Sequence, residues 1–591
     1  MHRTTRLDRT GRLSRRHFIT VLGLGASASL LAACQPAPPA QPTTAPAKPA
    51  EAPKPAEPAK PAEAPKPAGP APTAEQKAPA AAAEQPQSGG ELVFASWDEP
   101  ISLDPHNTAT AGLNADRLIF DTLVIQASDF KHYPALAESW EVSPDGKIYT
   151  FKLKRNAKLH DGSPVNAQAV KFSLDRVTGP GVKANFTISL TGVYETTEVV
   201  DDYTARVVMK QPFAPMLDGL ADGYFAIVSP AAVEKYGKDF DRNPVGSGPY
   251  IFQEWQSKSH VSVKRNPDYA WGSTMFKHQG PSYPDRLTIR LIPDSQTRMA
   301  TLETGEIQVA EMIPPEEVDR LKQNPKLQIM SQVAPGTAWQ LQINTTQPPL
   351  DDLRLRQALE YAVNQEDITK VLFKGALPAA HAPLAKGTLG YDDSIAKMYS
   401  FDPARAKAAL EQAGWKPGGD GIREKDGKKL NISINIVSSS IQALPIKMAE
   451  LVQAQLRDVG IFLEIRQTDT AALFAIMNEG SQQIIYGRRG GSDPDVIRPL
   501  FHSSFFGKSP VARIRFKDDR LDQLLSQGSE ELDRTKRQAI YKEIQEIIFK
   551  NALVVPLWDH TDFVGAQAGV RGVSMDPHGY VNLYDAWVAK S

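Results

Sequence analysis

The sequence predicts an α/β fold spread over two or three domains. At 591 residues the chain is too long for one compact domain and has ample length to bury a core. Short segments that alternate apolar and polar side chains, as half-exposed strands do, are interleaved with longer segments of helical periodicity. Strands interleaved with helices favour α/β lobes over a β-sandwich or a helix bundle.

Amino-acid composition excludes several classes of protein. Hydrophobic residues make up 41% and charged residues 23% of the chain, which is typical of a soluble globular protein. The single cysteine excludes internal disulfides, Cys-rich zinc sites and iron–sulfur clusters. A formal net charge of -1 gives no indication of a basic surface for nucleic acid. We therefore expect no nucleic-acid partner, no metal and no cofactor.

No motif in the chain indicates catalysis. The Gly-Ser-Gly segment at 246–248 is too short for a phosphate loop and is not followed by Lys. The chain has no His-Glu-x-x-His run and no Gly-x-Ser-x-Gly elbow between a strand and a helix. Its eleven histidines are scattered without convincing ligand spacing. The expectation is a protein that is not an enzyme and has no catalytic residues.

The first 33 residues have the pattern of an export signal. Six arginines and one acidic residue lie within residues 3–16. The apolar run that follows, 18–33, is shorter than the roughly 20 residues that a membrane-spanning helix needs, so a signal peptide is predicted. The order Ser14-Arg15-Arg16-His17-Phe18-Ile19 resembles the twin-arginine signal, which exports folded proteins, and the general secretory route stays open as the alternative.

The end of this apolar run predicts a lipid anchor. Leu31-Ala32-Ala33-Cys34 resembles a bacterial lipobox, in which the Cys thiol takes a diacylglyceryl group before cleavage. The alternative is a buried core segment that happens to contain a Cys. Because the only Cys stands where a lipobox needs it, we expect an exported protein anchored through Cys34 to the outer face of the cytoplasmic membrane, in the periplasmic or cell-wall space.

Residues 34–89 are predicted to form a disordered tether. About 16 of the 47 prolines lie in this segment, and Ala, Lys and Glu fill most of the rest. Large apolar side chains are absent, so nothing offsets the entropy cost of ordering the segment. In extended polyproline geometry, at about 3.1 Å per residue, the tether would hold a domain up to roughly 150 Å from its anchor. A recognition motif for a proline-binding partner is the rival interpretation.

The globular body is predicted to begin near residue 90. Strands are predicted at 91–95, 148–154, 287–292 and 430–437, and helices at 167–177, 295–304, 352–363, 403–413, 446–459 and 534–549. Asp402 followed by Pro403 is typical of a helix N-terminus, and Gly414 and Gly460 are typical of C-terminal stops.

Blocks of sequence spread over nearly all of this body resemble one protein family. In the family's order they lie at 136–143, 149–154, 159–165, 244–250, 265–269, 302–307, 344–345, 353–359, 402–414, 455–461, 541–545 and 555–557. The block at 136–143 reads Leu-Ala-Glu-Ser-Trp-Glu-Val-Ser, and the one at 244–250 reads Pro-Val-Gly-Ser-Gly-Pro-Tyr. Through this ordered set the chain resembles the family 5 extracellular solute-binding proteins, which are the dipeptide, oligopeptide and nickel receptors of ABC importers.

The resemblance implies an α/β, two-lobed periplasmic-binding-protein-like (type II) fold with an extra subdomain on lobe I. The implied boundaries are 90–335 for lobe I, about 125–245 for its extra subdomain, 336–552 for lobe II, and 553–591 for a C-terminal return to lobe I. The chain would cross between the lobes near 339–344 and 554–558. Ligand would sit between the lobes, and its contacts with both faces would drive closure.

The resemblance also implies a function and a set of partners. The protein would be a monomer that captures a peptide or another small polar solute and delivers it to the permease and ATPase subunits of an importer, while the lipid anchor holds it at the membrane. Two alternatives stay open: a receptor for an anionic or sugar-like solute, and an exported sensor or hydrolase built on the same fold.

One segment departs from the family pattern. Peptide receptors of this family carry Gly-Trp-x-x-Asp-x-x-Asp-Pro, in which the first Asp pairs with the amino terminus of the peptide. In the matching stretch, 486–494, Gly487 holds the Trp position, Gly490 holds that Asp position, and Arg488 and Arg489 stand between them. The departure weakens the peptide interpretation and indicates an anionic or sugar-like ligand. The alternative is an arginine pair satisfied by acidic residues of its own lobe.

The segment and its surroundings supply the candidate binding residues. Three aromatic residues among them are predicted as stacking walls, and the others as polar contacts. The candidates are Trp97, Ser247, Trp339, Asn344, Tyr486, Arg488, Arg489 and Asp493.

Overall fold

The computed structural model describes residues 84–108, 113–179, 182, 193–437 and 443–589. Residues Ala82–Ser591 form one compact unit. The predicted signal peptide, Cys34 and nearly all of the predicted tether lie outside the described residues.

The first sheet is mixed and, within the described ranges, has seven strands. In order across the sheet they are Leu327–Val333, Thr561–Gln567, Val309–Ala310, Glu91–Ser96, Arg286–Leu291, His260–Arg265 and Tyr250–Gln256. Glu91–Ser96 lies at its centre and pairs in parallel with both neighbours. Its apolar side chains Leu92 and Phe94 are fully buried, as a central strand requires.

The second sheet has five described strands. In order across the sheet they are Phe462–Thr468, Asn431–Val437, Ile484–Gly487, Trp339–Ile343 and Val554–Trp558. The first three run parallel, and Trp339–Ile343 is antiparallel to both of its neighbours. The carboxyl ends of three parallel strands therefore meet at one edge of this sheet.

A third sheet belongs to the region predicted as the extra subdomain. Its four described strands, in order, are Ala137–Val142, Ile148–Leu153, Thr204–Met209 and Tyr194–Asp201, and all adjacent strands are antiparallel. The helix Ala167–Thr178 packs on this sheet, and Asn166 caps it by accepting a hydrogen bond from the Ala169 N–H at 3.0 Å. This layer has an apolar core of its own, which includes Phe151, Val170 and Val207.

The remaining elements are short strand pairs and helices. The strand pairs are Val124–Gln126 with His132–Pro134, Glu424–Lys425 with Lys428–Lys429, Val570–Arg571 with Trp587–Val588, and Ser574–Met575 with Val581–Asn582. The other α-helices are Leu113–Ile119, Met216–Ala221, Pro230–Tyr236, Ser295–Thr304, Val318–Lys322, Leu353–Ala362, Gln365–Phe373, Pro403–Gln412, Ala443–Asp458, Thr470–Glu479, Arg498–Phe501, Asp519–Glu530 and Arg534–Lys550. Within the described ranges, no helix is both long enough and apolar enough to span a membrane.

The predicted elements are confirmed to within a few residues at each end. The Asp402 side chain accepts hydrogen bonds from the N–H groups of Ala404 and Arg405, as the N-terminal signal predicts. The same helix ends at Gln412, and Gly414 follows with φ +90°. Local signals suffice here because the caps satisfy backbone groups within a few residues of sequence.

Two short connections join the first and second sheets. The chain leaves the first sheet at Val333 and enters the second at Trp339, then leaves the second at Trp558 and re-enters the first at Thr561. The connections touch, because the Ala334 N–H donates to the His560 carbonyl oxygen at 2.9 Å. The lobe boundaries themselves stay a prediction. The strand Val554–Trp558 falls within the predicted return to lobe I, 553–591, but belongs to the second sheet, and the chain re-enters the first sheet only at Thr561.

Candidate functional site

The candidate site lies at the carboxyl ends of the parallel strands of the second sheet. In open α/β sheets, ligands bind in the crevice outside these ends. Residues 489–493, which follow the strand Ile484–Gly487, line a pocket that is open to solvent. Its opposite wall comes from the extra-subdomain region and includes Phe213, Asp218 and Asp222. The pocket therefore lies between two layers of the fold.

The connection 334–338 holds the backbone of the arginine segment in place. Gly336 and Gly490 form an antiparallel bridge. The Thr337 N–H donates to the Arg489 carbonyl at 2.8 Å, and the Arg489 N–H donates to Thr337 Oγ1 at 2.8 Å. Gly336 has φ +121°, and a Cβ there would lie 2.2 Å from the Arg489 carbonyl oxygen. Only glycine permits this approach.

Gly336→Ala is expected to disturb the site through the backbone. The added Cβ meets a carbonyl oxygen that cannot yield cheaply, and an L residue at this φ is strained, so the substitution costs on the order of 2–4 kcal/mol. We expect a lower melting temperature, measured by differential scanning fluorimetry. Gly419→Ala is the control, because Gly419 is exposed and a Cβ there would meet nothing within 4 Å. Equal melting temperatures for the two variants would contradict this role of Gly336.

Arg488 lies near Tyr486, which precedes it by two residues. One of its Nη atoms donates to the Pro335 carbonyl at 3.0 Å, while its Nε is buried without a partner in the described structure. Burial lowers the pKa of Arg488, and Asp562 and Tyr580 oppose the shift. A Cβ built on Gly490 would lie 3.4 Å from Arg488 Nη1. The guanidinium therefore stands beside the place that a side chain at position 490 would take.

Arg489 faces different neighbours from Arg488. It lines the pocket, its Nε is buried, and its guanidinium makes no hydrogen bond or ion pair with any described residue. Burial lowers the pKa of Arg489, and Asp495, whose carboxylate accepts two hydrogen bonds from Arg498 at 2.8 Å, opposes the shift. The two arginines predicted as a pair are thus separate groups.

An aromatic cluster lies next to Arg488. The rings of Trp339 and Tyr486 stack with their centroids 4.7 Å apart and their planes 14° apart. Trp558 lies 5.7 Å from Tyr486, and Trp339 Nε1 donates to His560 Nδ1 at 3.3 Å. Trp339 and Tyr486 are half-buried, so the structure brings two predicted stacking residues together. Neither ring lines the pocket of residues 489–493, and Arg488 does not line it either.

Comparison with known proteins assigns the family. Residues 131–508 match the family model described as bacterial extracellular solute-binding proteins, family 5, middle region. The glutathione-binding protein GsiB of Pectobacterium atrosepticum is 30% identical over 472 residues, which cover 78% of this chain and 87% of that protein. The chain belongs to the family 5 bacterial extracellular solute-binding proteins. Members of this family are substrate-binding proteins of ABC importers and not enzymes.

Solved structures of family 5 members share the fold. NikA from Brucella suis, in complex with Fe(III)-EDTA, is 27% identical, has a TM-score of 0.76, and covers 84% of this chain and 99% of its own. AgaA from A. tumefaciens R10, in complex with agropinic acid, is 26% identical, has a TM-score of 0.69, and covers 85% of this chain and 99% of its own. The predicted two-lobed type II fold is confirmed.

In this family 5 protein, the predicted site residues Asn344 and Asp493 form hydrogen bonds with other residues of the protein. Asn344 Nδ2 donates to the carbonyl oxygens of Gly480 and Gln482, each at 2.9 Å. The carboxylate of Asp493 accepts two hydrogen bonds from Arg537, at 2.5 and 2.6 Å. Asp493 lines the pocket, but its charge is neutralised, and both side chains hold the loops that carry the site.

Ser247 is fully buried and does not line this pocket. Its Oγ donates to Asp121 at 3.0 Å, and the same carboxylate accepts hydrogen bonds from Tyr269 and Trp271, each at 3.1 Å. Asp121, Tyr269 and Trp271 line a second cavity, whose walls come from the first-sheet and extra-subdomain regions, whereas Ser247 does not line it. Burial raises the pKa of Asp121 to about 6, although these three donors oppose the shift. Trp97, half-buried just after the strand Glu91–Ser96, lines neither pocket.

The buried carboxyl of Asp121 gives a pH prediction. Its pKa is 3.8 in a model compound and about 6 in the fold, so between pH 4 and 6 the folded protein binds more protons than the unfolded chain. The free energy of unfolding therefore falls as the pH rises through this range, by up to about 3 kcal/mol from this group. Melting temperatures at pH 4.5 and 7 should show a smaller loss in Asp121→Asn than in the wild type. An identical pH dependence in both proteins would contradict the assignment.

The structure adds residues that the sequence patterns did not identify. Ser492 Oγ donates to Asp218 Oδ1 at 2.9 Å, which links the arginine segment to the opposite wall. Burial raises the pKa of Asp218, and the neighbouring Asp493 adds to the rise. Asp222 also lines that wall. Asp218 lies in the helix Met216–Ala221 and Asp222 directly follows it, and neither belongs to a sequence motif. Only the fold shows that both line the pocket.

Proposed function

We propose that this protein is the lipid-anchored receptor of an ABC importer and captures a small polar solute that bears an anionic group, such as a carboxylate. The solute binds in the pocket between the extra-subdomain region and the arginine segment. One observation carries the proposal: beside Gly490, where peptide receptors of the family place a carboxylate, this protein places the Arg488 guanidinium. The charge offered to the ligand at this position is reversed.

The surrounding charges support an acceptor-rich ligand. The pocket acids Asp493 and Asp495 are each paired with an arginine, whereas Arg489 pairs with no described carboxylate. A guanidinium presents a planar fork of donors that suits carboxylate, phosphate or vicinal hydroxyl groups.

The relatives bind ligands of this chemistry. GsiB is named for glutathione, and the structures of NikA and AgaA hold Fe(III)-EDTA and agropinic acid. Each of these compounds carries carboxylate groups. These acids differ in size and shape, which is consistent with a family in which individual members bind different carboxylates.

Asp218 and Asp222 favour a second candidate, which is a zwitterionic peptide. Both acids line the wall opposite Arg489, and neither forms an ion pair with Lys or Arg in the described structure. A peptide would then place its carboxylate at the arginines and its amino group at the opposite wall. This orientation differs from that of relatives that use the residue at position 490 for the amino group.

Substitution of each arginine tests the proposal. A panel of small carboxylic acids and peptides, glutathione included, is screened against the matching amides by calorimetry. Charge-assisted hydrogen bonds contribute about 1.5–3 kcal/mol each, so Arg488→Ala and Arg489→Ala should each weaken binding of the selected acid by roughly ten- to a hundred-fold. Arg466→Ala is the control, because Arg466 is exposed and pairs with Glu464. Unchanged affinity in both test variants would overturn the proposal.

A further inference from the structure

Because Gly487 has no side chain, the guanidinium of Arg513 can lie against its backbone on the second sheet. A Cβ built on Gly487 would lie 2.8 Å from Arg513 Nη1 and 3.9 Å from Gln342 Nε2. Gly487 pairs with Gln340 in the antiparallel ladder, and residues directly opposite in a ladder share one face of the sheet. Gln340, Gln342 and Arg513 therefore lie on the same side, next to Gly487.

Several buried polar atoms of this cluster have no hydrogen-bond partner among the described residues. Gln340 has no exposed surface, and both its Nε2 and its Oε1 lack a hydrogen bond in the described structure. The same holds for Gln342 Oε1 and for Arg513 Nε. Buried side-chain donors and acceptors are satisfied in the large majority of cases, so a group of this kind that is left unsatisfied indicates a missing ligand or water.

The cluster is positively charged, and the described residues place no acidic side chain in it. Burial lowers the pKa of Arg513 to about 10, and the nearby Arg489 contributes to the shift, with no carboxylate opposing it. Arg515, two residues along, offers a contrast because its guanidinium donates to the carbonyl oxygens of Met477 and Asn478. Arg513 has no such structural partner among the described residues.

We propose that Arg489, Arg513, Gln340 and Gln342 form an anion-binding subsite that takes a carboxylate or a tetrahedral oxyanion of the solute. Arg489 lines the open pocket, and Arg513 lies behind it on the sheet, so the anionic group meets two guanidiniums and the two amides beside Gly487. The subsite rests on the proposed function and deepens it, since it assigns one anionic group of the solute to the Gly487 side and leaves a second acceptor group to Arg488.

Arginine side-chain resonances test the subsite directly. The full chain is labelled with ¹⁵N-arginine, and the Nε–Hε signal of Arg513 is assigned by its loss in Arg513→Lys. Sodium acetate and sodium phosphate are titrated separately at constant ionic strength, with acetamide as the neutral probe. We expect a saturable shift of the Arg513 signal with acetate, phosphate or both, and none with acetamide. The stronger of the two anions identifies the class of group.

Two variants separate the subsite from a structural role. Gly487→Ala keeps every charge but pushes the guanidinium aside, so it should weaken the acetate or phosphate response at least ten-fold. Arg515→Gln should leave that response unchanged. An Arg513 signal that is silent to both anions, or that shifts equally in Gly487→Ala and the wild type, would overturn the subsite. If the Arg488 and Arg489 signals shift while that of Arg513 does not, only the subsite is contradicted. If none of the three signals shifts, the proposed function is contradicted as well.

Discussion

Gly490→Asp is expected to reverse the ligand preference of the protein. The new carboxylate would lie beside the Arg488 guanidinium, because the Cβ at this position is 3.4 Å from its Nη1. It would pair with that arginine and so remove the guanidinium from an anionic solute. Loss of one charge-assisted bond, at about 1.5–3 kcal/mol, weakens the acid selected by calorimetry roughly ten- to a hundred-fold.

The asparagine variant is the matched control for this result. Gly490→Asn has the size of Asp without its charge, and Gly490 is exposed and not held at a positive φ, so both side chains fit the backbone. The acid should therefore bind Gly490→Asn more tightly than Gly490→Asp. Dipeptides with a free amino terminus should gain affinity only in the Asp variant. Equal affinities in the two variants would show that steric fit, and not charge, governs this position.

Cys34→Ser is expected to abolish lipid attachment. Buried acyl chains contribute roughly 0.8 kcal/mol per methylene, so a diacylglyceryl group holds a protein at a membrane against salt washes. In the bacterial host, the wild type should incorporate labelled palmitate and fractionate with membranes, whereas Cys34→Ser should incorporate none. A chain that starts at residue 35 behind a cleavable secretory signal should appear in the soluble fraction.

A neighbouring substitution controls for expression and export. Ala37→Ser lies in the same segment and leaves the lipobox intact, so it should incorporate palmitate like the wild type. Palmitate in Cys34→Ser, or salt-resistant membrane binding of the chain that starts at residue 35, would mean that the anchor is not at this cysteine.

Local sequence patterns predicted the elements that position the site. The helix Pro403–Gln412 and the strand Asn431–Val437 follow from a cap and an alternation that operate over a few residues. The order of family blocks predicted the two-lobed fold, which no single block could do. The departure at 486–494 pointed to Arg488 and Arg489, and the structure places both at the carboxyl end of a second-sheet strand.

The rest of the site depends on contacts between distant parts of the chain. Arg513 comes 26 residues after Gly487, in a segment without a motif, and only packing brings the two together. Ser247 was predicted as a binding residue, yet its hydroxyl donates a hydrogen bond to Asp121, which lies 126 residues upstream. The sequence does mark Gln340 and Gln342, because the two amides alternate with apolar residues in one strand. The strand is buried on both faces, where such amides need hydrogen-bond partners.

Native mass spectrometry of the protein purified from its own host tests the central claim most directly. A receptor that binds tightly retains its solute through mild purification, and the mass of the released molecule gives its class. The account predicts one small solute that carries a carboxylate or phosphate group, present in the wild type and depleted in Arg489→Ala. A neutral or cationic solute, retained equally by the wild type and by Arg489→Ala, would contradict it.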